Sequence, residues 1–211
     1  MSVIAVVDYG MGNRRSVEKA LEHVGADVRL TGDHEQIRAA DGVIVPGVGA
    51  FPEAMRRLRS SGLDELVRSR AQAGVPVLGI CLGMQLLFES SAEHEGADGL
   101  GLLPGRVTAL DPGSGKLPHI GWTEVELRRQ SALTHGLGES AAFYHVHSFV
   151  CRPEDEADVV GVAEYGERFA SIVERDNVSG AQFHPEKSSH AGLTLLRSFA
   201  QSCAVDSRAL A

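Results

Sequence analysis

The sequence predicts an α/β fold: a mostly parallel central sheet with helices on both faces, and antiparallel additions in its second half. Two observations carry this. The first half alternates apolar, β-branched runs with amphipathic helical stretches, the pattern of strands joined by helical crossovers. The second half changes to short β-like pieces joined by Gly, Pro, Ser and Asp. With 211 residues, 43% of them hydrophobic and 23% charged, the chain has the size and composition of one globular domain, read here as 1–211.

Taken in order, "SVIAVVDY" is a first strand ending at the turn "GMGN". Asn13 is placed to cap a helix through Val17, Leu21 and Val24 that ends near Gly25. "ADVRLT" follows as a second strand. "DGVIVPG" is a third, its continuous apolar character marking burial on both faces. Phe51, Met55 and Leu58 line one helical face and Leu63, Leu66 and Val67 the next, with Gly62 as the break and Pro52 suited to a first turn. "VPVLGI" reads as a fourth buried strand and "LGMQLLFES" as a helix. Beyond it, "GRVTAL", "WTEVEL", "AAFYHVHSFV", "DVVGVAEY", "FASIVERD" and "VSGAQFH" read as antiparallel strands. A last helix carries Leu193, Leu196, Phe199 and Cys203 on one face, and the tail "AVDSRALA" is expected to fray.

Charge and composition narrow the partners. A formal net charge of −8 disfavours nucleic acid, whose phosphates need a basic face. No apolar run approaches the ~20 residues of a membrane span, and "MSVIAVVDYGMGN" lacks the basic start and long apolar core of a signal peptide. Three cysteines without scaffold or CxxC spacing point to reduced thiols and a cytoplasmic chain. No metal-ligand spacing is present, and no cofactor is expected.

Cys81 is the residue that asks for an explanation. It stands where the fourth strand gives way to a helix, with Gly79 two residues before and Gly83 two after. That is the form of a nucleophile elbow: small neighbours relieve a crowded turn, the helix N-terminus favours a thiolate, and the N–H of Leu82 points where an oxyanion would form. The ordinary alternative, a buried structural cysteine, stays open on this motif alone. A thiol nucleophile needs a base and the base an orienter. "AQFHPEKS" offers His184 with Glu186 two residues on, although a bare "HPE" is commonly just a surface loop.

Together, "GICLGMQ" and "HPE" resemble the class I, or triad-type, glutamine amidotransferases. The resemblance implies a Cys81–His184–Glu186 triad that hydrolyses the side-chain amide of glutamine through a thioester and releases ammonia. It implies that Gln85 contacts the substrate glutamine and that Gly47, Val48 and Gly49, in "PGVG", form the oxyanion strand beside the thiol. "DYGMGN", "PGVGAF", "LPHIGWTEV", "HVHSF" and "QFHPEKS", in that order over nearly the whole chain, are similar to the glutaminase subunits of imidazole glycerol phosphate synthases in histidine biosynthesis. Relatives in guanylate, carbamoyl phosphate, anthranilate and pyridoxal phosphate synthesis share the triad but not this set. Peptidase- or deglycase-like proteins on the same fold form another class, from which Gln85 and Glu186 separate this chain.

The resemblance further implies a partner: a cyclase subunit, a (β/α)₈ barrel on a separate chain, that receives the ammonia. Asn13, Trp122, Tyr144 and Lys187 are the residues it would face, and Lys187 reads equally as a solvated surface lysine. His147 and Ser148 border the glutamine site, His147 with His119 more as structural histidines than as ligands. The chain departs from the family's usual residues at Thr123 (Asn), His145 and Phe149 (in place of "FVHSY") and Arg14 (Leu). Cys203 is expected in the core, and Cys151 has no role legible in the sequence.

Overall fold

The structure, a computed structural model, describes residues 2–209. Strands β1 (Val3–Val7), β2 (Asp27–Thr31), β3 (Gly42–Gly47) and β4 (Val77–Cys81) alternate with helices α1 (Arg14–His23), α2 (His34–Ala39), α3 (Phe51–Ser60) and α4 (Leu63–Gln72). The short helix α5 (Leu82–Leu86) follows β4 directly. Then come β5 (Phe88–Ser91), β6 (Ala97–Asp98), β7 (Leu103–Ala109), β8 (His119–Leu127), β9 (Ser140–His147) and β10 (Phe149–Pro153). The chain closes with β11 (Val159–Tyr165), β12 (Glu167–Arg175), β13 (Val178–Ala181) and α6 (Ser189–Ala209).

The sheet runs β2-β1-β3-β4-β13-β12-β10-β7-β5-β6, with β11, β8 and β9 branching from β12. Its first four strands are parallel. Alternation along β1 sends Ala5 and Val7 to a core layer with Phe51, Met55 and Leu58 of α3 and Leu66 and Val67 of α4. Ile4 and Val6 face the opposite layer, with Val17 and Leu21 of α1 and Leu196, Phe199 and Cys203 of α6. The expected helices on both faces are therefore present, and Cys203 is in the core as read. Gly42 is needed for that packing, since a Cβ there would come within 2.3 Å of the Cys203 sulfur.

Four expectations are corrected. "VSGAQFH" is not simply an antiparallel addition: β13 is antiparallel to β12 but parallel to β4, so it completes the parallel block beside the cysteine strand. "LGMQLLFES" is helical only to Leu86. The carbonyls of Leu86, Leu87 and Phe88 accept hydrogen bonds from Leu100, Leu102, Leu103 and Gly101 at 2.8–3.1 Å, so they are taken by a distant segment rather than by the next helical turn. "AAFYHVHSFV" is two strands divided at Ser148: β9 pairs with β8, whereas β10 pairs with β7 and β12. The tail from Ala204 is helical through Ala209, and positions 210–211 lie outside the described residues. Among the described residues no helix is long and apolar enough to cross a membrane.

Candidate active site

β3, β4 and β13 end side by side, and their carboxyl ends bring the candidate site residues together. Gly47 is the register partner of Cys81 across β3 and β4, so the "PGVG" strand lies against the thiol. Cys81 has φ 55° and ψ −112°, a left-handed conformation that a side-chain-bearing residue adopts only when its surroundings enforce it. The enforcement is steric. A Cβ on Gly79 would lie 2.6 Å from the Gly83 backbone, and one on Gly83 would lie 1.8 Å from the Val45 carbonyl oxygen. The elbow thus exists only with glycine on both sides, and α5 starts at Leu82, immediately after the sulfur-bearing residue.

His184 follows β13 and opens the turn Pro185–Lys187. Its Nδ1 lies 2.9 Å from Glu186 Oε1, with both side chains almost wholly buried. Its backbone is held at both ends: the N–H donates to the Tyr144 carbonyl at 2.9 Å and the carbonyl accepts from the Ser188 hydroxyl at 2.7 Å. Burial works against a charged ring, but hydrogen bonding to Cys81 and Glu186, and their negative charge, outweigh it, and the His184 pKa is pushed up to about 10. The surroundings of His184 therefore favour its protonated form.

A cavity of about 430 Å³ opens onto Cys81 and is lined also by Val48, Gln85, His147, Ser148 and His184. Gly49, Leu82, Phe149 and Lys187 reach its wall as well, whereas Gly47, expected with them, does not line the cavity and lies beside Cys81 in the strand register. The Gln85 Nε2 donates to the Phe149 carbonyl at 3.1 Å and to Gln182 Oε1 at 3.2 Å. His147 borders the cavity with both ring nitrogens engaged, Nδ1 with the Phe149 carbonyl at 3.0 Å and Nε2 with His119 Nδ1 at 3.2 Å. Both of its nitrogens are thereby committed to groups of the protein itself.

Four features escaped the sequence. Gln182 is fully buried, takes the Gln85 amide on its oxygen, and has its Nε2 4.0 Å from the Cys81 sulfur. It stands two residues before His184 on the "QFHPE" run, and alternation along that segment was the available signal. Glu93 lines the cavity and accepts the first N–H of α3, from Phe51, at 2.8 Å. Tyr9 is buried against the "PGVG" strand, its hydroxyl donating to the Pro46 carbonyl at 2.7 Å; burial, then the negative Cys81, push its pKa up. His119, His145 and His147 form a buried cluster. His119 lies between the His145 ring (centroids 5.2 Å apart) and the Tyr165 ring (4.1 Å).

The departures from the usual family residues have local partners. The Thr123 hydroxyl meets His119 Nε2 at 2.8 Å, His145 Nε2 meets the Ser171 hydroxyl at 2.9 Å, and Arg14 pairs with Asp8. Trp122 is exposed and packs edge-on to Tyr144, with ring centroids 6.1 Å apart, and Lys187 is exposed. Asn13 occupies the N-cap position of α1 but makes no side-chain cap; its amide is turned instead to Glu186, at 3.2 Å. The expected cap is absent because the side-chain oxygen that would make it accepts from the Ser16 hydroxyl at 2.7 Å, while the amide nitrogen faces the carboxylate. Cys151 is buried in β10, and burial pushes its thiol well above the ordinary range. Among the described residues no group of three or more histidine, cysteine or carboxylate side chains could hold a metal ion.

A glycine-built elbow bearing a thiol, a buried imidazole–carboxylate pair and an adjoining cavity meet at the carboxyl ends of a sheet covered on both faces, an arrangement that suits a cysteine nucleophile. The chain matches the family model "Glutamine amidotransferase class-I" over residues 5–202 and belongs to that family. Among its relatives is the imidazole glycerol phosphate synthase subunit HisH of Moorella thermoacetica, 50% identical over 201 residues that cover 95% of each chain. The subunits of the same name from Bacillus cereus and Listeria innocua are 49% and 45% identical over 93% of this chain. In fold it resembles the structure of PurLQS from Thermotoga maritima (TM-score 0.76, 22% identity, 96% of this chain and 99% of that one). A crystal structure of a glutamine amidotransferase is similarly close (TM-score 0.75, 23% identity, 95% and 98%).

Proposed function

We propose that this chain is the glutaminase subunit of an imidazole glycerol phosphate synthase, supplying ammonia for histidine biosynthesis. The observation that carries the reading is the Cys81–His184–Glu186 line at the mouth of the cavity, in a chain about half identical to HisH subunits over nearly its whole length.

The chemistry follows from the charges. With His184 protonated beside it, Cys81 attacks as thiolate on the side-chain carbonyl carbon of glutamine. The carbonyl oxygen takes the negative charge, and the Leu82 N–H and a peptide N–H of the Gly47–Gly49 strand are its donors. Collapse of this intermediate breaks the C–N bond. His184 gives its proton to the departing nitrogen, which leaves as ammonia, and a thioester remains on Cys81. Neutral His184 then takes a proton from water as the water attacks the thioester carbonyl. Glutamate leaves, and thiolate and imidazolium are restored. Gln85 and Ser148 hold the substrate in the cavity.

The partner in this reading is a cyclase subunit, a (β/α)₈ barrel on a separate chain. Among the described residues, Leu117 (44% exposed), Ile120 (60%), Trp122 (56%) and Val48 (40%) are the large hydrophobic side chains left in solvent. Pro118, adjacent to Leu117 and two residues before Ile120, lines the cavity, as does Val48. Exposed apolar groups of this kind, close to the mouth of a site, suit a docking face. Gly49 at φ 103° gives the oxyanion strand a peptide that can turn its N–H toward or away from the substrate oxygen.

The test is steady-state glutamine hydrolysis by the chain alone, with the cyclase subunit, and with cyclase plus the cyclase's ligand. The third is expected to exceed the first by about 10²-fold or more, the scale of one oxyanion donor. Full activity in the isolated chain overturns gating. Absence of hydrolysis in all three overturns the glutaminase reading.

A further inference from the structure

We infer that Asn13, backed by Ser16, is a positioning residue for the buried carboxylate of Glu186, extending the catalytic line from the sulfur out to helix α1. This rests on the triad reading above and goes beyond it.

The Glu186 side chain is fully buried. Its Oε1 accepts from His184 Nδ1 at 2.9 Å and from Asn13 Nδ2 at 3.2 Å, while its Oε2 is buried with no hydrogen-bond partner among the described residues. A buried carboxylate is costly unless its lone pairs are met. Here both donors converge on one oxygen, and Asn13 is the donor that is not the catalytic ring itself. Without it the carboxylate is held by His184 alone and is free to turn about its last torsion, carrying the imidazole off the sulfur.

The amide is oriented by chemistry as well as by place. An ionised carboxylate only accepts, so the NH₂ of Asn13 must face Glu186 and its carbonyl oxygen must face away. On that side the Ser16 hydroxyl, one turn into α1, donates to Asn13 Oδ1 at 2.7 Å. Asparagine at an N-cap ordinarily uses its side-chain oxygen on the N–H groups of the first helical turn. Asn13 does not; its oxygen is given to Ser16 and its nitrogen to the triad. Arg14, next along, pairs with Asp8, so the segment that presents Asn13 is anchored at both sides of it.

The experiment is a double-mutant cycle on the complex of full-length chain, cyclase subunit and cyclase ligand, with Asn13→Ala, Glu186→Ala and the pair. Asn13→Ala is expected to lower kcat about tenfold, the scale of one hydrogen bond to a charged group, with KM within about twofold. In the Glu186→Ala background it is expected to add less than about twofold. Isosteric Asn13→Asp, which fills the same space but cannot donate, is expected to lose at least as much as Asn13→Ala. Ser16→Ala is expected to lose about threefold and Ser16→Thr, which keeps the hydroxyl, to retain wild-type kcat. In the isolated chain, iodoacetamide alkylation of Cys81 followed against pH reads the same device without the partner. The deprotonation of His184, at about 10 in the parent, is expected at lower pH in Asn13→Ala. Additive losses in the cycle, or a kcat defect that vanishes at saturating cyclase, would overturn the inference. Cys81→Ser is the control that separates the two levels: if it hydrolyses glutamine the triad reading fails, and if it is inactive an additive cycle removes only the role of Asn13.

Discussion

His184 and the His119–His145–His147 cluster are buried in the same part of the molecule, and burial acts on all of them in the same direction, against charge. His184 is nonetheless pushed up to about 10, while His145 and His147 are pushed down to about 3. The difference is in what each ring faces. His184 meets a sulfur and a carboxylate. His145 meets the Phe143 carbonyl and a serine hydroxyl, and His147 meets the Phe149 carbonyl and another imidazole. Neutral acceptors offset part of the desolvation, while the neighbouring histidines add to it, with His147 and His119 acting on His145, His119 on His147, and His184 on both. A buried histidine thus takes its protonation state from its partners, and this protein favours the charged form of one ring beside others whose neutral form is favoured.

The comparison breaks most completely when the charged side is dismantled. Cys81→Ala is expected to abolish glutamine hydrolysis in the presence of the cyclase subunit. His184→Ala is expected to lose the ~10²–10⁴-fold of a general acid–base. Glu186→Gln is expected to fall between His184→Ala and the parent, because the ring remains but is misoriented. Steady-state rates at saturating glutamine check the order, and wild-type rates in His184→Ala would show that the ring carries no proton in the reaction.

A smaller effect is expected on the neutral side, and it appears in stability. Between about pH 6.5 and the folded value near 3, the unfolded chain binds protons that folded His145 and His147 refuse. Stability is therefore lost as pH falls through that window. His145→Phe removes one of the two groups, and its melting temperature is expected to drop less than the parent's between pH 6.5 and 4. An equal drop in both proteins would mean that His145 is protonated in the folded state. His184 has the opposite sign: its contribution is fully present below about 6.5 and is lost as pH rises through about 10.

The two sides of the comparison were unequally legible in the sequence. Cys81, His184 and Glu186 stand in short motifs, and the glycines that force the elbow are adjacent to the residue they serve. The parallel strands β1 to β4 and their helices follow from local periodicity, as does the break at Gly62. The histidine cluster has no such signature: His119 meets His147 only because β8 pairs with β9, and Thr123 enters that network through a side chain 2.8 Å from His119. The helix read through "LGMQLLFES" fails at Leu87 for the same reason, since its carbonyls are claimed by residues some fifteen positions on. Asn13 departs from the local rule for an N-cap because a carboxylate from the far end of the chain orients its amide, leaving its oxygen to Ser16. In each case a long-range partner outbids a local preference.

The measurement that bears most directly on this account is a pH titration of the histidine ring nitrogens by NMR in the isolated chain, with the nine histidines assigned. His184 is expected to stay protonated up to about pH 10 and to lose that high value in Cys81→Ala, while His145 and His147 are expected to remain neutral down to the onset of acid unfolding. A His184 that titrates near the ordinary 6.5, unmoved by removal of the Cys81 sulfur, would contradict it.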